Sequence, residues 1–446
     1  MYSEEIQKLL DKNGIKVGDQ IMLSKGATQL EGELMPKANI GGKDTVIIKM
    51  KDGYNVGIKL TSDLKIEKLS SGVANIGSFP KVALKHDKSA PNVTLIYTGG
   101  TIGSRVDYET GGVSMLLKPE ELLYKVPEIQ DIANISVDML MSVASEDLSY
   151  MEWVKIAESV TKAFNNGARG VIITMGTDAM HYTAAALSFM LRNLDGPVVI
   201  TGAQRSSDRG SSDGFINLVS ATRLAAFSDI AEVGICMHEQ SSDGRCIFIR
   251  GVKARKMHTS RRDAFRPIND KPMAYVDKNG SISYSKGYNK AEAKKPSTLE
   301  LKTKFDPKVA LVKVYPNSDP KIIDFYIREG YNGIIIEGTG LGHAPVSTKH
   351  DEFMWLPHIK NALDSGLIVG MTSQCLYGRV HPNVYKNLRL LSNLGVIYCE
   401  DMMPEVAQIK LCWLLGNYGK EKAKSMLGSN IAGEIHRRLE FDEFLV

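Results

Sequence analysis

Cysteine is scarce in this chain. The five present, Cys236, Cys246, Cys375, Cys399 and Cys412, are an odd number with no CxxC pair and no zinc spacing. That excludes a disulfide framework and reads as buried thiols in a reducing compartment. The nine histidines show no HExxH and no paired spacing, so the sequence supports no metal site. Long hydrophobic runs are missing too: nothing approaches the roughly 20 apolar residues of a membrane span. Met1-Tyr2-Ser3-Glu4-Glu5 has neither a basic n-region nor an apolar h-region, so no secretory signal is expected and the chain is read as cytoplasmic. Strong charge of one sign is absent as well. A net charge of +4 over 446 residues is too small to imply wholesale nucleic-acid binding.

What is present is ordinary globular composition on a length that predicts two or three domains. Residues 1 to 12 read as a short amphipathic helix. Short strands then follow at 18–23, 30–36, 44–50 and 54–58, separated by turns such as Gly41-Gly42-Lys43-Asp44. That spacing predicts a small antiparallel barrel over 1–85. A polar, turn-rich linker is expected from Leu69 to Pro91. From Val93 the rhythm changes to strands at 93–97, 170–174, 197–201 and 232–237, with helix-period segments at 151–166, 179–193 and 215–228. The alternation predicts a large open parallel-sheet α/β domain over 90–290. Asn289 to Lys304 reads as a second linker, and a smaller C-terminal α/β domain over 305–446 begins at Val309.

Two turns carry threonine directly after strand-type runs: Thr98-Gly99-Gly100-Thr101 and Gly176-Thr177-Asp178. In an open parallel sheet both would lie at strand carboxyl ends, where such folds bind ligands. Gly99 and Gly100 let the backbone approach a ligand and turn peptide N–H groups toward a developing oxyanion. Thr101 is then either a nucleophile in need of a base or a residue that stabilises the turn. Thr177 and Asp178 are equally ordinary helix N-caps or a hydroxyl and a carboxylate facing a crevice. A lysine in the basic stretch Arg250 to Phe265 would complete a proton-transfer set, though spacing does not choose Lys256 over Lys253. Ser145-Glu146-Asp147 follows an apolar run and is either a solvated loop or a place for a carboxylate and an ammonium group.

Taken jointly, these segments resemble the bacterial-type L-asparaginase/glutaminase family. Thr201-Gly202-Ala203-Gln204-Arg205, Asp213-Gly214, Gln374-Cys375-Leu376-Tyr377-Gly378-Arg379-Val380 and Glu400-Asp401-Met402 match as well, in family order over about residues 90–440. The resemblance implies an asparaginase-like fold of two α/β domains, and dimers with the site near the contact between chains. It implies Thr101 as nucleophile and Thr177, Asp178 and Lys256 as a second triad. Ser145, Glu146, Gly100 and Gly176 would bind substrate. In that family the lysine precedes a phenylalanine by nine residues; here that is Phe265, which selects Lys256.

Two departures narrow the resemblance. The loop tyrosine that helps activate the first threonine is out of register, so the activating hydroxyl is Tyr108, Thr110 or absent, and resting activity is expected to be low. The N-terminal barrel is also foreign to simple asparaginases. The combination is similar to the D subunits of archaeal glutamyl-tRNA(Gln) amidotransferases. That implies a glutaminase supplying ammonia to an E subunit, which uses ATP and Mg2+ to convert Glu-tRNA(Gln) to Gln-tRNA(Gln). It implies no cofactor in this chain, a homodimer core within an assembly of two D and two E chains, and tRNA(Gln) held mainly by the partner. The alternative is a stand-alone cytoplasmic L-asparaginase. A vestigial enzyme whose barrel binds RNA is disfavoured because the barrel lacks a dense basic or aromatic stripe.

Overall fold

The computed structural model describes residues 2–37, 44–50, 55–71, 86–106, 113–115, 126–205, 211–291 and 299–444. At the start, the Ser3 hydroxyl accepts the Ile6 N–H and caps helix α1 (Glu4–Lys12), whose buried face is Ile6 and Leu10. That face packs on five antiparallel strands: β1 (Gln20–Lys25), β2 (Thr28–Leu34), β3 (Thr45–Lys49), β4 (Asn55–Lys59) and β5 (Lys65–Ser70). Their order is β4-β3-β2-β1-β5. Alternation sets the face: Ile21, Leu23, Val46 and Ile48 point to the core, and their neighbours point away. Among the described residues, no pairing between β4 and β5 closes this sheet into a ring. The linker expected from Leu69 begins too early, because Leu69 and Ser70 end β5, with Ser70 opposite Gln20. Residues 72–85 of that linker lie outside the described residues.

The large domain is an eight-stranded sheet. In chain order its strands are β6 (Asn92–Tyr97), β7 (Asn134–Met139), β8 (Gly170–Thr174), β9 (Val198–Thr201), β10 (Val233–His238) and β11 (Arg245–Arg250). After a two-stranded hairpin, β12 (Ala254–Lys256) with β13 (Phe265–Pro267), come β14 (Ala274–Asp277) and β15 (Ile282–Tyr284). The spatial order is β15-β14-β11-β10-β9-β8-β6-β7, and β7, β6, β8, β9 and β10 are mutually parallel. Every residue of β8 and β9 is buried, as parallel strands covered on both faces require. Helix α2 (Tyr150–Asn165) starts at a capping box in which the side chains of Ser149 and Glu152 each accept the other's backbone N–H. Helices α3 (Met180–Met190) and α4 (Gly214–Phe227) are buried along most of their length.

The connection that matters for function is the one around β6. The chain leaves β6 for β7 on one side and then crosses back to β8 on the other. A switch point of this kind opens a crevice beyond the strand carboxyl ends. The threonine turns after β6 and β8 therefore flank one crevice.

The C-terminal domain carries four parallel strands, β16 (Val309–Lys313), β17 (Gly333–Gly338), β18 (Ile368–Ser373) and β19 (Ile397–Tyr398), in that spatial order. Helix α5 (Pro404–Tyr418) is buried on nearly all sides and packs against α3, with Trp413 stacked on Phe189 at 5.7 Å. The two α/β domains thus share one apolar core. The second expected linker is corrected at its end. Glu300–Leu301 pairs with Leu191–Arg192, and the Trp413 indole N–H donates to the Lys302 carbonyl at 2.9 Å. Residues 292–298 lie outside the described residues. The cysteines are free thiols, and four of them are buried as expected; Cys375 is instead exposed, on the turn that follows β18.

Candidate active site

Three strand-end turns meet at the crevice with no room between them. Gly100 has φ of +90°, and a Cβ there would sit 2.3 Å from the Gly176 amide nitrogen. Gly176 in turn has no space for a side chain, because a Cβ would lie 2.8 Å from Ser145 Oγ. Only glycine permits that approach. It places the Thr101 turn, the Gly176-Thr177-Asp178 turn and the Ser145 turn at one locus. Backbone bonds fix their register: Thr98 N–H donates to Thr174 O and Val143 N–H to Thr98 O, each at 3.0 Å.

Lys256 completes the cluster from the opposite wall. Its Nζ donates to Thr177 Oγ1 at 2.9 Å and to Asp178 Oδ1 at 2.6 Å. Hairpin β12–β13 aims it: Lys256 is the cross-strand partner of Phe265, whose ring is fully buried. The nine-residue spacing to phenylalanine is therefore the span of a hairpin that anchors the lysine. Lys253 points elsewhere, into a buried ion pair with Asp401 at 2.6 Å. So the structure separates the two lysines that spacing leaves equal.

Ser145 is buried, and its Oγ accepts the N–H groups of Asp178 at 3.2 Å and Ala179 at 3.4 Å. It does the work of an N-cap for the turn that leads into α3. The side chains of Thr177 and Asp178 are thereby released from capping, and no side-chain cap bond is made at Ala179, the N-cap of α3. The same hydroxyl lies 3.4 Å from Glu146 Oε2, whose side chain is exposed to the crevice rim. Tyr108 and Thr110, the candidate activators of Thr101, lie outside the described residues.

Residues to which the sequence assigns no individual role surround the cluster. Arg255 pairs with Glu405 at the first turn of α5, tying hairpin β12–β13 to the C-terminal domain. His181, in the first turn of α3, is 6 % exposed and neither ring nitrogen has a hydrogen-bond partner. Burial, and then the cations Arg255 and Lys256, push its pKa down to about 3, so it stays neutral. Asp213 is fully buried and accepts the amides of Gln204 and Arg205 at 3.0 Å, which fixes the turn after β9. Arg255 and Glu405 are 150 residues apart, so local spacing cannot mark their pairing, whereas Asp213 bonds within ten residues and stands in the Asp213-Gly214 segment that the resemblance already picks out.

Residues 92–289 match the family described as Asparaginase, N-terminal, and residues 308–426 match the Glutaminase/Asparaginase C-terminal domain. Residues 15–69 match the GatD N-terminal domain. The D subunit of the glutamyl-tRNA(Gln) amidotransferase from Pyrococcus furiosus is 47% identical, over 99% of this chain and 100% of its own length. The chain belongs to the family of glutamyl-tRNA(Gln) amidotransferase D subunits. Its relative from Methanothermobacter thermautotrophicus is 44% identical over 99% of both chains. Among solved structures, the thermostable L-asparaginase from Thermococcus kodakarensis superposes with a TM-score of 0.69 and 28% identity, covering 77% of this chain and 99% of its own. The L-asparaginase covers 77% of this chain, whereas the amidotransferase relatives cover 99% of it. Among the described residues, no helix is long and apolar enough to cross a membrane.

Proposed function

We propose that this chain is the glutamine-hydrolysing subunit of a tRNA-dependent amidotransferase that converts Glu-tRNA(Gln) to Gln-tRNA(Gln). The observation that carries the chemistry is the amine of Lys256 reaching both Thr177 and Asp178 at the switch point shared with the Thr101 turn. In this reading Thr101 Oγ attacks the side-chain carboxamide carbon of glutamine and gives up its proton. The C–N bond then breaks as nitrogen takes a proton, and ammonia leaves. Water, positioned by Thr177, Asp178 and Lys256, adds to the resulting ester, releases glutamate and restores the threonine hydroxyl. Backbone N–H groups at Gly100 and Gly176 take the oxyanion, and Glu146, oriented by Ser145, takes the substrate ammonium group.

Ammonia passes to an E subunit that spends ATP, with Mg2+, on the glutamyl ester, so no cofactor is assigned to this chain. The assembly is a dimer of D chains with two E chains in the cytoplasm, with tRNA(Gln) held mainly by the partner. The N-terminal sheet serves docking to protein. A stand-alone asparaginase would leave the 15–69 match without a role. The test is a paired assay. Thr101→Ala, Thr177→Ala, Asp178→Ala and Lys256→Ala each abolish glutamine-dependent amidation and leave ammonia-dependent amidation by the complex intact. Equal loss of both would make these residues structural. Partner and Glu-tRNA together raise glutamine hydrolysis by this chain; an unchanged rate would return the reading to a stand-alone amidohydrolase.

A further inference from the structure

At the junction of the two α/β domains, three donors distant in sequence come together: Asp270, His436 and Glu443. Their ligand atoms all lie within 4.8 Å of one another. The set is held from outside. His436 Nδ1 lies 2.7 Å from the Asn269 carbonyl oxygen. A carbonyl only accepts, so Nδ1 carries the hydrogen and Nε2 is the ring's outward atom. Asn269 is itself pinned in a left-handed conformation, φ +53°, by a reciprocal pair of bonds with the Gly378 backbone at 2.9 Å. Nε2 faces Asp270 Oδ1 at 3.9 Å. The other oxygen of Asp270 is held by Arg250, itself buried, at 2.7 Å, and Oδ1 also accepts the Lys271 amide at 2.8 Å. Asp401 lies 3.9 Å from Nδ1, and Oε2 of Glu443 accepts the Glu440 N–H at 2.9 Å.

A neutral imidazole in this place would aim a lone pair at two carboxylates. Nε2 and the two carboxylates converge on one point, where a single cation would meet all three donors. We propose that Asp270, His436 and Glu443 form a binding site for one borderline divalent metal ion of the zinc, manganese, iron or cobalt class. One imidazole nitrogen with two carboxylate oxygens suits those ions better than Mg2+ or Ca2+, which take oxygen donors. The bond from Nδ1–H to a backbone carbonyl is the outer-shell arrangement that orients a ligating histidine. Donors on one such ion stand about 3.0–3.5 Å apart, so the set must contract by roughly an ångström. Glu443 can supply that movement, because it sits on the terminal turn Phe441–Glu443. The ion would staple this tail, where Phe444 already packs edge-on against Tyr377 at 5.3 Å, to the Asn269–Asp270 turn of the large domain.

The experiment uses the full-length chain, stripped with a chelator and titrated calorimetrically with Zn2+, Co2+, Mn2+ and Mg2+ in turn. One equivalent of Zn2+ or Co2+ binds per chain, with a visible cobalt absorption band and a raised melting temperature; Mg2+ binds far more weakly. Glu443→Gln, in the short turn Phe441–Glu443, weakens binding at least tenfold, and His436→Ala removes both the stoichiometric site and the cobalt band. Sub-stoichiometric binding, or binding unaltered by both substitutions, would overturn the assignment.

Discussion

Two lysine–aspartate pairs stand three residues apart in the same stretch of chain and do opposite things. Lys253 meets Asp401 at 2.6 Å with side chains 1% and 0% exposed, whereas Lys256 meets Asp178 at the same 2.6 Å with Asp178 69% exposed. Contact distance does not distinguish them; solvent does. Burial holds the Lys253 amine below its ordinary value against the pull of Asp401, and both partners are sealed at the domain junction. A pair so placed fixes geometry and cannot exchange protons with a substrate. Lys256 keeps its stem in protein and its head at the crevice mouth, beside a hydroxyl, where chemistry has access. The same two residue types are a bolt in one place and, in the proposed mechanism, a reagent in the other.

Breaking each pair separately should expose that division. Lys256→Ala should lower glutamine hydrolysis by about 10²–10⁴-fold, the usual worth of a placed proton-transfer group. Its melting temperature should stay near that of the parent, since the partner carboxylate is already solvated. A large fall in melting temperature would assign Lys256 to the bolt class. Lys253→Met should do the reverse. Leaving Asp401 buried and uncompensated should cost about 3–5 kcal/mol in denaturant unfolding, while the folded fraction retains its kcat. Should Lys253→Met instead lose turnover at unchanged stability, the contrast between the two pairs would collapse.

How far the contrast could be read from sequence follows from where the partners lie. The crevice was legible, because two glycine–threonine turns after Val/Ile runs already mark strand ends, and β6 and β8 form where those runs predict. The assignment of the lysine was not, because Asp401 is 148 residues from Lys253 and Asp178 is 78 from Lys256. Only the resemblance to asparaginases chose between them. Thr177 and Asp178 were open to reading as helix caps for a similar reason: the true cap is Ser145, brought in from another strand end. Strand β5 was hidden by its own composition. Lys65-Ile66-Glu67-Lys68-Leu69-Ser70 buries Ile66 alone, so an edge strand looks like a polar connection.

A subtler probe of the proposed active site is His181, a buried titratable group that neither pair uses. Its folded pKa of about 3 lies below the ordinary 6.5. Above the ordinary value both folded and unfolded states are neutral and the residue has no effect on stability. As pH falls below it, the unfolded chain takes a proton that the folded chain refuses, so stability declines progressively toward about pH 3. At about pH 5 the deficit should be about 2 kcal/mol. Denaturant unfolding at about pH 7 and about pH 5 should show that drop in the parent, and a drop smaller by that amount in His181→Gln. Identical pH dependence in both chains would mean that the ring is hydrated and charged in the folded state.

The smallest expected effect concerns Ser145, whose hydroxyl holds the turn bearing Thr177 and Asp178. Ser145→Ala removes the acceptor for the Asp178 and Ala179 amides and should cost about 1 kcal/mol of stability, as loss of a helix-capping hydroxyl does. Its kinetic signature is the more telling result. A group that binds substrate would raise KM and leave kcat unchanged. A group that aims Thr177 and Asp178 at Lys256 should lower kcat by more than it raises KM, because the misplaced turn fails only when the transition state needs it. Ser145→Thr, which keeps the hydroxyl, should recover part of kcat if its added methyl can be housed against Gly176, where space is already short. A pure KM effect in Ser145→Ala would move this serine from the scaffold of the site to its substrate-binding surface.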